Sequence, residues 1–288
     1  MKQESRRPSN RAKLLPSATA SAKTLLLLAA CFSAAQMLHA QEKGPGTYVL
    51  LVFSNPVAGQ EDVYNKWYDN QHAPDVVAVP GFVTAQRFVL SDTQLRVSKP
   101  LPKYLVIYKI VTNDLPSVFA EVQRRLDTKM TVIDPSFDRA TSVSFTYKVF
   151  RPVVHHKGLT GASHLGSQIY YQLVFADPVA GKEDEFNWWY DQQHAPDVVS
   201  APGFVEAQRY IVSDTQLSKK QSLTKYFALY KIVSDDLASD FTGYRRLAPT
   251  MKMSPAFGES FGYTYKAIGL VIEGDKVRSE RAKKKSPL

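Results

Sequence analysis

Along most of this chain, short apolar runs alternate with polar stretches studded with aromatic residues, and the whole alternation occurs twice. YVLLVFS (48–54) is nearly all apolar, as a strand buried on both faces is. NPVAG then supplies Pro and Gly for a turn. In EDVYNKWYDNQH (61–72), Tyr64, Trp67, Tyr68 and Gln71/His72 recur at three and four, which predicts a helix. Glu61 and Asp62 stand in its first turn, where the helix dipole favours acids. Pro74 disfavours helical geometry at Ala73, so the helix is expected to end or kink there. Asp75 is placed to cap a short DVVAV turn that PG (80–81) stops. FVTAQRFVLS (82–91) and KYLVIYKIV (103–111) read as strands joined by a polar loop. LPSVFAEVQRRLDTKM (115–130) reads as a second helix, and the alternating TSVSFTYKVF (141–150) as a last strand.

Shifted by 122 residues, the chain matches itself: EDVYNKWYDNQHAPDVVAVPGFVTAQRFVLSDTQL (61–95) and EDEFNWWYDQQHAPDVVSAPGFVEAQRYIVSDTQL (183–217) are identical at 25 of 35 positions. FSNPVAG (53–59) pairs with FADPVAG (175–181), and KYLVIYKIV with KYFALYKIV (225–233). The second helix pairs loosely, LPSVFAEVQRRL (115–126) with LASDFTGYRRL (237–247), and FTYK (145–148) with YTYK (263–266). So long a period means duplicated domains. The order β-α-β-β-α-β is the split ferredoxin-like unit, whose sheet carries helices on one face and needs cover on the other. A second copy supplies that cover. The expected fold is α+β: two tandem ferredoxin-like units, their four-stranded sheets packed face to face as an intramolecular dimeric α+β barrel. The first repeat spans 41–150, a Pro/Gly/Ser-bearing linker 151–166, the second repeat 167–272 and a basic tail 273–288.

Charge alters this picture little. The net +9 is concentrated at the ends: +5 in residues 1–40 and +4 in 275–288, leaving the body with no net charge. No basic surface for nucleic acid is expected. The KKK tail is read as a solvated, frayed end, with a weak tether to anionic lipid or envelope polymer as the other reading. Residues 1–40 read as an export signal: a basic stretch ends at Lys23 and TLLLLAACFSAAQML follows, too short to span a bilayer comfortably. Cleavage after Ala40 would leave a mature chain without cysteine, periplasmic or secreted; LAAC offers a lipidated Cys31 as the lesser alternative. His155, His156 and His164 fall in the linker, and no metal site is expected there.

The repeated histidine is the candidate for chemistry. On a helix, Tyr68 and His72 share a face, and Asp69 lies three residues before the imidazole, near enough to orient it and raise its basicity. Asn65 lies two turns back on the same stripe, beside Trp67. Asn187, Trp189, Tyr190, Asp191 and His194 repeat the set. Gln86 and Arg87, with Gln208 and Arg209, add strand residues that could bind substrate or a developing enolate oxygen. A structural reading stands beside this: HAPD ends a helix, the aromatic rings are core, and Arg87 pairs with Asp75 or Asp92. The two halves drifted in the second helix and last strand but little over 61–95, which a cavity lined by this segment would explain. Gene conversion would explain it too.

The two segments WYDNQHAPDVVAVPGFVTAQRF and WYDQQHAPDVVSAPGFVEAQRY resemble the EthD-like group of the dimeric α+β barrel superfamily, over about 47–150 and 168–271. The resemblance implies relatives that are cofactor-free cyclases, dehydratases, isomerases and oxygenases of phenolic or polyketide-like compounds, besides haem-dependent members. In several, a histidine near this helix end is the acid/base, a role that carries over only to His72 and His194.

The expectation is therefore an exported, cofactor-independent lyase, isomerase or cyclase acting on a small carbonyl or phenolic substrate. His72 and His194 would move the proton, Asp69 and Asp191 orient them, and Tyr68, Tyr190, Arg87 and Arg209 stabilise the oxyanion. The alternatives are a non-catalytic envelope protein holding a small aromatic ligand in the barrel, or haem in the barrel on His72 or His194. GxSxG, P-loop and Rossmann glycine patterns are absent. No membrane span is expected, and the molecule is read as a monomeric pseudo-dimer or a homodimer of it.

Overall fold

The apolar runs become strands and the aromatic-studded stretches become helices in the computed structural model, which describes residues 44–96, 101–157, 167–218 and 224–285. The expected export segment 1–40, with Cys31, and linker residue His164 lie outside the described residues. In the first repeat, strand β1 (Gly46–Ser54) leads to helix α1 (Glu61–Trp67), a π-helical turn (Tyr68–His72) and α2 (Ala73–Val77). Strands β2 (Phe82–Leu90) and β3 (Tyr104–Thr112), helix α3 (Leu115–Asp127) and β4 (Val143–Val149) complete it. A short β5 (Val154–His155) follows. The second repeat runs β6 (Gln168–Pro178), α4 (Glu183–Trp189), a π-helical turn (Tyr190–His194), α5 (Ala195–Val199), β7 (Phe204–Val212), β8 (Tyr226–Ser234), α6 (Leu237–Leu247) and β9 (Phe257–Glu273). Helix α7 (Gly274–Lys285) ends the described chain.

Each repeat orders its strands as a ferredoxin-like unit, β4-β1-β3-β2 and β9-β6-β8-β7. The two sheets do more than stack. Strand β2 pairs antiparallel with β9, Arg87 opposite Ile268, and β4 pairs with β7, Tyr147 opposite Val212. The edges that each unit alone would expose are thereby used up, and the sheet closes into the dimeric α+β barrel arrangement. Strand alternation sends one set of side chains into the lumen, among them Leu51, Phe53, Leu105, Leu173, Phe175 and Phe227. The other set meets the helices in two outer cores, one per repeat.

Four local features differ from the sequence reading. Pro74 does not end the helix: backbone dihedrals stay helical through His72 and Ala73. Pro74 has no N–H for the usual bond to the fourth residue back, and the π turn over 68–72 widens the ladder just ahead of it. Asp75 does not cap but lies within α2, buried, and accepts from Arg281 of α7 at 2.5 Å. The basic tail is not frayed over 274–285: it is α7, and Arg278 donates to the carbonyls of Val77 (2.9 Å) and Phe82 (3.1 Å). The linker's first residues also join the sheet, Val154 pairing with Ala207 of β7.

Candidate functional site

The π turn sets the surroundings of each histidine. A π turn holds more residues than an α turn, so partners five apart come face to face. Trp67 stacks on His72 with ring centroids 4.5 Å apart, and Tyr68 meets it edge-on at 4.9 Å. The second repeat reproduces both contacts, Trp189 on His194 at 4.5 Å and Tyr190 at 4.9 Å. Trp67 is held by its indole N–H, which donates to the Val132 carbonyl at 3.1 Å. His72 and His194 are 8% and 9% exposed, and neither Nδ1 has a hydrogen-bond partner. Burial, helped by the positive Arg87, lowers the His72 pKa to about 3. Burial, with Arg96 and Arg209, lowers that of His194 to about 4. Both rings are neutral at neutral pH.

The expected Asp–His pair is not formed. The Asp69 carboxylate turns to Arg87, accepting from Nη1 at 2.6 Å. Asp191 likewise accepts from Arg209, and additionally from Nε of the linker residue Arg151 at 2.6 Å. In a π turn residues three apart no longer share a face, which leaves the carboxylate free for the arginine. Both terminal nitrogens of Arg87 are committed: Nη2 donates to Asn65 Oδ1 at 2.7 Å, and the guanidinium lies 4.8 Å over the Tyr68 ring, while its buried Nε has no partner. Asn65 also donates to the Tyr104 hydroxyl at 3.0 Å. Asn187 does the same for Arg209 and Tyr226, at 2.7 and 2.9 Å. Asn65, Asp69 and Arg87, and their counterparts Asn187, Asp191 and Arg209, therefore form a strut from helix to sheet around a buried arginine. Gln86 and Gln208 are next to these arginines in sequence, so they point to the opposite side of the sheet, into the barrel lumen. Of the residues grouped by sequence, His72 keeps company with Trp67 and Tyr68, and His194 with Trp189 and Tyr190.

His72 borders a cavity of about 200 Å³ between the helices and the outer face of the first sheet. Its wall is mostly apolar, with Val76, Val122, Leu126 and Val143, and Leu217 comes from the other repeat. Tyr108 faces it too, and its hydroxyl, like that of Tyr68, is buried without a partner. Burial raises both phenol pKa values, so both are protonated. The corresponding space beside His194 is about 30 Å³. There Tyr244 stands where the first repeat has Val122, while Phe261, the counterpart of Val143, is exposed and stacks on the lumen ring of Phe175 at 5.1 Å. The two phenols also satisfy each other, Tyr230 donating to Tyr190 at 3.0 Å.

Sequence reasoning missed Tyr108, which lies in an apolar strand run with nothing to set it apart. It also missed the role of the repeated SDTQL. The Gln216 side chain copies a strand residue, accepting from Thr146 N and donating to Thr146 O, both at 2.8 Å. Gln94 does the same for Thr264. Each SDTQL thus crosses to the other repeat and presents its Leu at that repeat's cavity. The identity of this motif in both copies was the available signal. Among the described residues no cluster of His, Cys, Asp or Glu could hold a metal, and no helix is long and apolar enough to cross a membrane.

No family model and no curated protein matches the chain. Among solved structures it is similar to an anthrone oxidase-like protein, at 11% identity over 81% of this chain and 94% of that one, with a TM-score of 0.49. A putative monooxygenase from Fusobacterium nucleatum is similar at 10% identity over 80% and 95%, TM-score 0.46. Chlorite dismutase from Candidatus Nitrospira defluvii is similar at 14% identity over 83% and 96%, TM-score 0.42. What those proteins do is not carried over to this chain.

Proposed function

We propose that the cavity of the first repeat binds a small phenol or enolisable carbonyl compound and that His72 is its acid/base. One observation carries the reading: a neutral imidazole, with an unpartnered Nδ1, borders an apolar cavity that also presents an unpartnered phenol, Tyr108. A buried polar group without a partner costs stability, on the order of 1–3 kcal/mol. Two such groups at one cavity are accounted for if a ligand's oxygen completes them.

The chemistry follows from the low basicity of His72. A lone imidazolium is disfavoured in this cavity, because Asp69 is committed to Arg87 and offers no countercharge. Proton transfer becomes favourable when it creates a contact ion pair. The imidazole takes a proton from the substrate carbon, and the electron pair moves onto the carbonyl oxygen. Tyr108 hydrogen-bonds the enolate oxygen, and the imidazolium returns the proton to the same carbon or, where a neighbouring C=C conjugates with the enolate, to the γ-carbon as the double bond shifts. Atoms and charge balance without a cofactor, which makes the second outcome an isomerase step. The N-terminal signal pattern supports placing this activity outside the cytoplasm.

The test needs no known product. Small aryl ketones deuterated at the α-carbon are incubated with the protein, and loss of deuterium is followed by NMR. His72→Ala should slow exchange by about 10²–10⁴-fold, the range of a positioned acid/base. His194→Ala should leave it near the unmodified rate. Full exchange in His72→Ala would sink the assignment. Ligand-induced stabilisation with no exchange would instead favour a binding protein.

A further inference from the structure

We propose that the barrel lumen is a second binding site, taking one small aromatic carboxylate per chain. The lumen opens at one end into a cavity of about 410 Å³, on the other side of the sheet from His72. That volume falls in the range of small-molecule sites, roughly 300–1,000 Å³. Strand alternation stacks its lining in layers. The floor is apolar and aromatic: Val49, Phe88, Ile107, Tyr171, Tyr210 and Leu229. Beneath it the lumen is filled by packed rings, Phe175 on Phe227 at 4.9 Å and Tyr147 on Phe227 at 5.2 Å. The space is therefore a cup with a ring-lined bottom.

Above the floor stand Gln86 and Gln208, facing each other across the pseudo-two-fold axis. Each amide nitrogen is anchored: Gln86 donates to the Ile268 carbonyl at 2.9 Å, and Gln208 to that of Arg151. Their carbonyl oxygens accept no hydrogen bond among the described residues. The rim carries Lys109 and Lys231; neither forms an ion pair among the described residues, and the register sets Lys109 opposite Thr84 and Lys231 opposite Glu206. Glu206 is the one acid on the lining, 3.9 Å from His155 Nδ1.

The chemistry of the ligand follows layer by layer. The floor favours a flat apolar body, since rings stack or meet edge-on as Phe88 and Tyr171 already do at 5.1 Å. The two ammonium groups favour an anionic head. Glu206 brings the rim to one net positive charge, which suits a monoanionic carboxylate better than a phosphate dianion. The cup straddles the repeat axis, so it holds one ligand where the duplication would suggest two.

The test is a fluorescence titration of the whole protein with 2-naphthoate, with neutral 2-naphthalenemethanol as the comparison. Saturable binding at one per chain is expected, tighter for the carboxylate and weakened by salt. The Lys109→Ala/Lys231→Ala double variant, altered only at the rim, should weaken 2-naphthoate about tenfold or more while barely changing the alcohol. Leu229→Trp should block both ligands, its fold checked by circular dichroism. His72→Phe should bind 2-naphthoate unchanged, which separates this site from the one assigned to proton transfer. Absence of saturable binding up to about 1 mM, the weakest affinity worth calling a site, would overturn the proposal. So would undiminished binding in the double lysine variant, loss in His72→Phe, or two ligands per chain.

Discussion

The two histidine surroundings share their nearest rings to within a tenth of an ångström, yet one borders about 200 Å³ of space and the other about 30 Å³. The difference lies outside the duplicated motif's own helix. Tyr244 on α6 replaces Val122, and its ring stands in the volume a ligand would take. Tyr230 bonds to Tyr190 at 3.0 Å, whereas the hydroxyls of Tyr108 and Tyr68, though close to each other, form no such bond. A motif copied with its histidine is therefore not a site copied with its function. The element that turned a cavity into core is the part of the repeat that drifted.

That comparison can be broken by exchanging the residues. Val122→Tyr should fill the first cavity and abolish both ligand binding and His72-dependent exchange. The added ring enters existing space, so the fold should survive with a change in stability of less than about 1.5 kcal/mol, as for a tolerated core swap. The reverse change, Tyr244→Val, should cost about 2–3 kcal/mol, since it removes a half-buried ring and leaves a cavity. In return it should raise the ligand stoichiometry of the helix-side sites from one to two per chain. Calorimetric titration and thermal melts of both variants decide it. A filled first cavity that still binds would show that the ligand goes elsewhere.

A second comparison is between acid and neutral pH, where both histidines should report together. Their folded pKa values, about 3 and about 4, lie below the ordinary histidine value of 6.5 that the unfolded chain has. Between the two limits the unfolded chain binds more protons than the folded one, so stability rises with pH. The contribution is fully present above about pH 6.5 and is lost as pH falls towards 3 to 4. A tenfold difference in proton affinity between the folded and unfolded chain is worth about 1.4 kcal/mol, so a few kcal/mol per ring is at stake. His72→Phe/His194→Phe keeps an aromatic ring against Trp67 and Trp189 and removes the titration. Its melting temperature should vary much less between pH 6.5 and 4 than that of the unmodified protein. An unchanged slope would place the acid sensitivity in other groups.

How much of this was legible in the sequence depended on which physical rule governed each residue. Strand runs such as YVLLVFS and KYLVIYKIV announced themselves because burial on both faces demands continuous apolar residues. The repeat announced the pseudo-dimer. Side-chain direction was less accessible. Assigning Gln86 and Arg87 to one site ignored the pleat, which puts them on opposite faces. Pairing Asp69 with His72 assumed an α-helical turn where Pro74 is preceded by a π turn. The Val122/Tyr244 difference was visible but looked like loose drift, because nothing local marks a side chain as cavity filling. Arg278 and Arg281 read as solvated charge; their carbonyl and carboxylate partners lie about two hundred residues away in the chain.

The uneven drift between halves also has a structural cause besides chemistry. SDTQL stitches each repeat to the other's last strand, so its sequence is restrained by the junction. Gln94→Ala leaves Thr264 N without its acceptor and Thr264 O without one of its donors, and Gln216→Ala does the same at Thr146. Each variant should cost about 1–3 kcal/mol, the penalty for stranding a buried backbone group. Gln216→Ala should additionally weaken ligand binding in the first repeat, because Leu217 borders that cavity. Gln94→Ala should not, since Leu95 borders the filled one. Equal effects on binding would mean that the loop acts on the fold as a whole.

The smallest difference between the halves is one ion pair. Asp191 accepts from Arg151 as well as Arg209, and its side chain is 16% exposed against 52% for Asp69, which has Arg87 alone. Arg151 is itself 41% exposed and comes from the linker, so its attraction is screened by water. Arg151→Ala should therefore cost about 1 kcal/mol or less, measured by urea unfolding, and the loss should shrink at high salt. Removing the inner partner is a different matter. Asp191→Asn would leave Arg209, only 4% exposed, without its countercharge, and the expected cost rises to about 3–5 kcal/mol. Asp69→Asn should cost less, because water reaches that carboxylate position and can partly solvate Arg87. An Arg151→Ala loss as large as that of Asp191→Asn would mean that the linker, and not the strut from helix to sheet, holds the second repeat's histidine helix in place.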